Sequence, residues 1–185
     1  MRIGPTSSLP TVAVAVGDAL RRAGIRAVLT GGACASVHTA GRYSSVDADF
    51  VLIGEVTRRQ LDDALATLGF VRSGDRYVHA ESEFYVEFPR GPLAIGGDHT
   101  IRPVEYVSGP RRCLALSASD SCRDRLAAFF HWSDRQSMEV AVHIALANRL
   151  DWRRIRRWSE AEGNVARYEE FLAELRRRRR SQTSR

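Results

Sequence analysis

The sequence contains no lysine, and all 28 of its basic residues are arginine. No lysine can therefore serve as base, nucleophile or phosphate ligand, and arginine is effectively never deprotonated. Cysteine is scarce too. Cys34, Cys113 and Cys122 are scattered, odd in number and lack C-x-x-C spacing, which argues against a zinc site or a disulfide framework and for a reducing compartment. No apolar run approaches the ~18 residues of a membrane span, and no secretory leader is expected. The expected location is the cytoplasm, with no membrane partner. His38, His79, His99, His131 and His143 show no metal-ligand spacing and read as ordinary polar or core residues.

What is present describes a globular protein: 44% of residues are hydrophobic against 27% charged, far from a disordered composition. A length of 185 residues suits one ordinary domain, or a core with a helical appendage. The formal net charge of +6 permits a nucleic-acid partner.

Hydrophobic periodicity divides the chain. Residues 11–23 carry Val12, Val16, Ala19, Leu20 and Ala23 on one helical face, and 25–30 read as a buried strand ending at Gly31-Gly32. A short helix of small residues follows over 33–40, then a loop over 41–45 and a strand over 46–53. Thr57 and Gln60 match a capping box, opening a helix with Leu61, Ala64, Leu65 and Leu68 inward. Residues 70–116 are strand-rich, with a Pro- and Gly-punctuated stretch at 89–97. From Ser119 onward the period is helical. Cys122, Leu126, Phe129 and Phe130 form one stripe; Ser133 and Gln136 offer a second capping box; Asp151 and Asn164 stand as caps for two further helices. The predicted fold class is α+β: a small mixed sheet with flanking helices over 1–118, then a C-terminal helical bundle over 119–185 with an arginine-rich end.

The chemistry concentrates between Gly31-Gly32 and Ser44-Ser45-Val46-Asp47-Ala48-Asp49-Phe50-Val51. On an extended strand Asp47 and Asp49 point the same way, roughly 7 Å apart, while Val46, Ala48, Phe50 and Leu52 take the opposite face. Burying two unpaired carboxylates there would cost several kcal/mol, roughly, unless a cation offsets them. Two such carboxylates can bridge two Mg²⁺ ions about 3.5–4 Å apart, the arrangement of in-line phosphoryl displacement. Mg²⁺ suits the role because it shares its octahedron between carboxylates and phosphates. The glycine pair lets backbone approach a phosphate, and the following helix offers free N–H groups. Glu87, facing away from Phe84, Val86 and Phe88 on a neighbouring strand, is the candidate third carboxylate, with Glu83 and Glu105 as weaker options. Taken singly, a Gly-Gly pair is an ordinary tight turn, an Asp-x-Asp an ordinary strand end and Glu87 a solvent-facing edge residue. Their order is what points to a nucleotidyl-transfer site.

Thr30-Gly31-Gly32 through Asp47-Ala48-Asp49 resembles the signature of the DNA polymerase β-like nucleotidyltransferase superfamily. It is most similar to minimal members of the AbiEii and MenT toxin type, with their Gly-Gly, Arg-x-Ser and Asp-x-Asp pattern. Asp120 to Ala128 followed by His131-Trp132-Ser133-Asp134-Arg135-Gln136 resembles the helical motif pair of bacterial relatives. The resemblance covers residues 25 to about 150. It implies transfer of a nucleoside monophosphate from an NTP to an acceptor hydroxyl, for the toxin branch an RNA 3′ end, typically of tRNA, in a toxin–antitoxin or phage-defence setting with a cognate antitoxin. It implies Asp47 and Asp49 as metal ligands, and Gly31, Gly32, Arg42 and Ser45 beside the nucleotide. Relatives carry a lysine before the Asp-Arg-Leu segment; here Arg123 stands there, able to clamp a triphosphate but not to carry a proton. Asp134 matches a later helical aspartate that orients Arg123 or the nucleobase. A buried structural ion pair is the competing reading of Arg123 and Asp134.

Two alternatives stay open. The same chemistry could serve an aminoglycoside-like small molecule or a partner protein's side chain, or the fold could be catalytically silent and bind nucleotide or a partner. Arg153, Arg154, Arg156, Arg157 and Arg176 to Arg180 could track a phosphate backbone, or simply form a solvated terminus that favours the helix dipole.

Overall fold

The computed structural model describes residues 3–43 and 45–183; Ser44, part of the loop ahead of Asp47, lies outside the described residues. In chain order the elements are α1 (Leu9–Arg22), β1 (Ala27–Leu29), α2 (Gly31–His38), β2 (Asp47–Leu52), α3 (Arg58–Ala66), β3 (Phe70–Ser73), β4 (Arg76–His79), β5 (Ser82–Glu87), β6 (Val104–Ser108), β7 (Arg111–Ala115), α4 (Ala118–Trp132), α5 (Arg135–Ala147), α6 (Trp152–Ala161) and α7 (Val165–Thr183). The fold is α+β.

The strands form one mixed sheet in the order β3-β4-β5-β2-β1-β7-β6. β2 lies at its heart, antiparallel to β1 and parallel to β5. Its inward residues Ala48 and Phe50 are fully buried, and the Phe50 ring packs near that of Phe88. Burial of a side chain such as Phe50 contributes about 1.5–3 kcal/mol. That commits β2 to one register, because a slip by one residue would exchange its apolar and acidic faces. Val46 departs from the expected apolar face: it precedes the strand and is exposed.

α1 lies across the sheet, with Val12, Val16 and Leu20 fully buried. Gly17 permits the close approach, since a side chain there would collide with Cys113 of β7. Asp18, also buried on α1, is satisfied by Arg21, Arg22 and the Arg112 N–H. The Thr57–Gln60 capping box is formed at the start of α3.

α4 packs Cys122, Leu126, Phe129 and Phe130 inward, in the same continuous apolar cluster as the sheet. The turn after α4 differs from expectation by one residue. Ser133 is in the left-handed conformation and ends α4, while Asp134 caps α5 by accepting from the Ser137 N–H at 3.1 Å. The left-handed backbone of Ser133 denies it the extended conformation of an N-cap, which Asp134 adopts, and the aspartate's charge further favours the helix N-terminus. Asp151 caps α6 as expected. Asn164 precedes α7, but its amide donates back to the Glu162 carbonyl. No helix among the described residues is long and apolar enough to cross a membrane.

Candidate active site

The parallel register of β2 and β5 sets Asp47 opposite Tyr85 and Asp49 opposite Glu87. Asp47, Asp49 and Glu87 therefore converge: each offers a carboxylate oxygen within 4.8 Å of the others, and all three are half-buried. Of the alternative third acids, Glu105 sits on β6, ion-paired with Arg112 at 2.8 Å, and Glu83 is exposed elsewhere on β5.

Electrostatics mark the trio as short of positive charge. Burial, then the charges of Asp47 and Glu87, push the Asp49 carboxyl up to about 7. Asp124 adds to that repulsion and Arg125 partly relieves it. Like charges this close cannot all ionise without a cation. The donor set consists of hard carboxylate oxygens alone, which fits Mg²⁺ or Mn²⁺ and not a thiolate-seeking metal.

The glycine pair does not end a strand; it forms the first residues of α2. Gly31 has φ +63° and its missing Cβ space is taken by the Asp49 carboxylate. Both facts demand glycine. Gly32 lies under the following loop, where a Cβ would stand 2.8 Å from Ser45 Oγ and 3.2 Å from the Tyr43 ring. Ser45 Oγ in turn donates to Asp47. The Thr30 N–H donates to the Asp49 carbonyl at 2.9 Å, tying the α2 entrance to β2. Thus α2 presents its first-turn N–H groups beside the carboxylates.

The structure separates the other expected residues. Arg123 is fully buried, bonded to Asp120 at 2.8 Å and Asp98 at 2.5 Å, with its guanidinium 5.0 Å from the centre of the Trp158 ring. Burial alone would raise the Asp98 carboxyl, but Thr100 and Arg123 hold it well below the usual carboxylate range. Arg123 thereby fastens the loop after β5, which also bonds Trp158 through the Ile95 carbonyl and Glu162 through the Gly97 N–H. It does not reach the trio. Arg42 lies in the exposed turn after α2 and lines a cavity of about 170 Å³ together with His143 and Arg178.

The cation that faces the trio is Arg125, half-buried on α4 and bonded to Asp124 at 2.7 Å. Its charge acts on both Asp49 and Asp134. Against a cost of burial, the Ser137 hydroxyl and N–H, the Gln136 N–H and Arg125 together hold Asp134 below its usual value. Sequence reading placed the clamp at Arg123, yet helical phase contained the signal for Arg125. Arg123 falls three residues before buried Leu126, whereas Asp124, Arg125, Ala128 and Trp132 recur on the opposite, partly open face.

Other nucleophiles are disqualified by burial, which pushes the Cys34 and Cys113 thiols up to about 12 and that of Cys122 upward as well. A cavity of about 870 Å³ between α1, α3 and the β6–β7 turn lies apart from the carboxylates. Its one buried acid, Asp18, is already paired.

No protein-family model matches the chain, and no curated protein matches it by sequence. Among solved structures, an antigenic nucleotidyltransferase-like protein from Paracoccidioides brasiliensis superimposes with a TM-score of 0.59 at 15% identity, over 98% of this chain and 93% of that one. The antibiotic-resistance factor ANT(2'')-Ia aligns at a TM-score of 0.49 and 14% identity, over 93% of this chain and 97% of its own. The first of these establishes a nucleotidyltransferase-like fold.

Proposed function

We propose that this protein is a metal-dependent nucleotidyltransferase, moving a nucleoside monophosphate from an NTP to an acceptor hydroxyl. The observation that carries the reading is the convergence of Asp47, Asp49 and Glu87 across the β2–β5 register. Asp47, Asp49 and Glu87 would hold divalent metal, Mg²⁺ by donor type. When bound, the metal supplies charge neutralisation of the triphosphate and a lowered pKa for the attacking hydroxyl.

The chain's own groups do the rest. Gly31 and Gly32 admit a phosphate to the α2 N-terminus without a Cβ in the way. Ser45 orients Asp47 by donating to it. Arg125 faces Asp49 from α4, where a guanidinium can bind the triphosphate in bidentate fashion. In this reading Arg123 is a positioning residue, holding the loop that follows Glu87, and Asp134 keeps Arg125 directed at the site.

The acceptor we propose is an RNA 3′ end, tRNA in the first instance, with the toxin of a toxin–antitoxin or phage-defence pair as the setting. The resemblance of the Gly-Gly to Asp-x-Asp segment to the AbiEii and MenT type supports it. So does the meeting of Arg42, His143 and Arg178 in one cavity, which carries the basic end of α7 up to the loop that bears Ser45. Cations grouped in this way can neutralise backbone phosphates, Arg178 while sharing its charge with Glu174 at 2.8 Å. Cytoplasmic residence follows from such an acceptor.

The test is incubation of the purified protein with total tRNA, Mg²⁺ and each α-labelled NTP in turn, beside Asp49→Ala. Label entering the tRNA 3′ end only with intact Asp49 is the expected result. No label with any NTP removes tRNA as acceptor and turns the search to small molecules or a silent nucleotide-binding fold.

A further inference from the structure

Trp132 is 77% exposed, although it is the residue type that gains most from burial. Its chain neighbours His131, Ser133, Asp134, Arg135 and Gln136 are all exposed and polar, so no apolar patch extends from it along the chain. A lone indole in a charged setting suits a flat aromatic ligand that carries polar edges.

The position on α4 says which ligand. Trp132 lies seven residues after Arg125, two helical turns along the same face and about 10 Å further on by helix rise. Between them the face is floored by Ala128, too small to fill the space and only partly buried. Helical side chains as a rule lean towards the N-terminus, which for Trp132 is the direction of Ala128 and Arg125. The charge of Arg125 acts on Asp49 and also on Asp134, which lies two residues from Trp132. His131 meets the indole edge-on, with ring centres 6.0 Å apart. Arginine, small floor and aromatic ring thus follow one another along one face of α4, and the charge of that arginine acts on Asp49 of the trio.

We infer that Trp132 is a stacking platform for a nucleobase, with the attached phosphates held at Arg125 and the carboxylates. The inference rests on the nucleotidyl-transfer reading. A base at this place belongs either to the incoming NTP or to the 3′-terminal nucleotide of the acceptor strand, and the chemistry of recognition is the same.

Equilibrium binding to the full chain in Mg²⁺ separates the cases. The probes are each of the four ribonucleoside triphosphates, inorganic tripolyphosphate, and a short single-stranded oligoribonucleotide with a free 3′ hydroxyl. For the NTP source, Trp132→Ala weakens NTP binding by about 10-fold, the scale of one aromatic–base stack, leaves tripolyphosphate unchanged, and Trp132→Phe restores most of the loss. For the acceptor source, the same variants weaken the oligoribonucleotide alone. Unchanged affinity for every NTP and for the oligoribonucleotide overturns the inference, as does equal loss of NTP and tripolyphosphate. A wild-type chain that binds neither NTP nor tripolyphosphate refutes the nucleotidyl-transfer reading itself, a result distinct from a Trp132→Ala chain that binds like wild type.

Discussion

The carboxylate of Asp49 occupies the space where Gly31 would carry its Cβ, and Gly31 holds φ +63° to begin α2 there. One glycine thus serves both the backbone turn and the placement of the acid.

Gly31→Ala is expected to abolish nucleotidyl transfer while leaving a folded protein. The left-handed conformation alone costs an L residue roughly 1–2 kcal/mol, and the methyl group displaces Asp49 from its partners. Circular dichroism with a transfer assay checks this. Activity near wild type would show that the close fit of Gly31 to Asp49 does not matter.

Asp49 predicts a pH dependence of definite sign. Its carboxyl titrates about 7 in the folded chain against 3.8 for the ordinary group. Between those values the folded state keeps a proton that the unfolded state has lost, so this group's contribution to stability falls as pH rises through the window. Asp49→Asn should flatten that slope in a series of thermal midpoints. Mg²⁺ should raise the midpoint most above pH ~7, where the trio carries its full charge. A Mg²⁺ effect independent of pH and of Asp49 would count against a metal site here.

Arg123 and Arg125 should fail in different ways. Arg123→Leu removes the main partner of the buried Asp120 and of the half-buried Asp98, for which about 3–5 kcal/mol is the usual loss, tempered by Arg154, 3.2 Å from Asp120 and 3.9 Å from Asp98, and by the Thr100 bonds to Asp98. Arg125→Ala should melt close to wild type yet lose roughly 100-fold or more in kcat/KM, as for a removed transition-state donor. Chemical denaturation and steady-state kinetics on both variants distinguish them. The opposite pattern would return the clamp to Arg123.

Arg42 and Arg178 bear on the acceptor. Replacing both with alanine should weaken tRNA binding and reduce the slope of log K against log salt by about one for each phosphate no longer neutralised. NTP binding should be unaffected. An unchanged salt slope would place the RNA path elsewhere or remove it.

The sequence alone determined what depends on neighbours in the chain. The alternation of Asp47 to Phe50, the Thr57 capping box and the stripe from Cys122 to Phe130 are short-range patterns, each read from a single helical or strand period. It also named Asp47, Asp49 and Glu87, because two lie on one strand and the third was the acid facing away from an apolar one. Helical phase set Arg123 and Arg125 on different faces of α4, but the sequence could not decide what each face would meet. Only packing against Trp158 and the Asp98 loop buries one and leaves the other facing Asp49. The same holds for the meeting of the trio: β2 and β5 are separated by α3 and two strands, and their parallel register is a long-range choice made by the burial of Ala48, Phe50 and Val86. Local periodicity assigns a residue to a face, whereas desolvation and partner charges across the fold decide what that face meets.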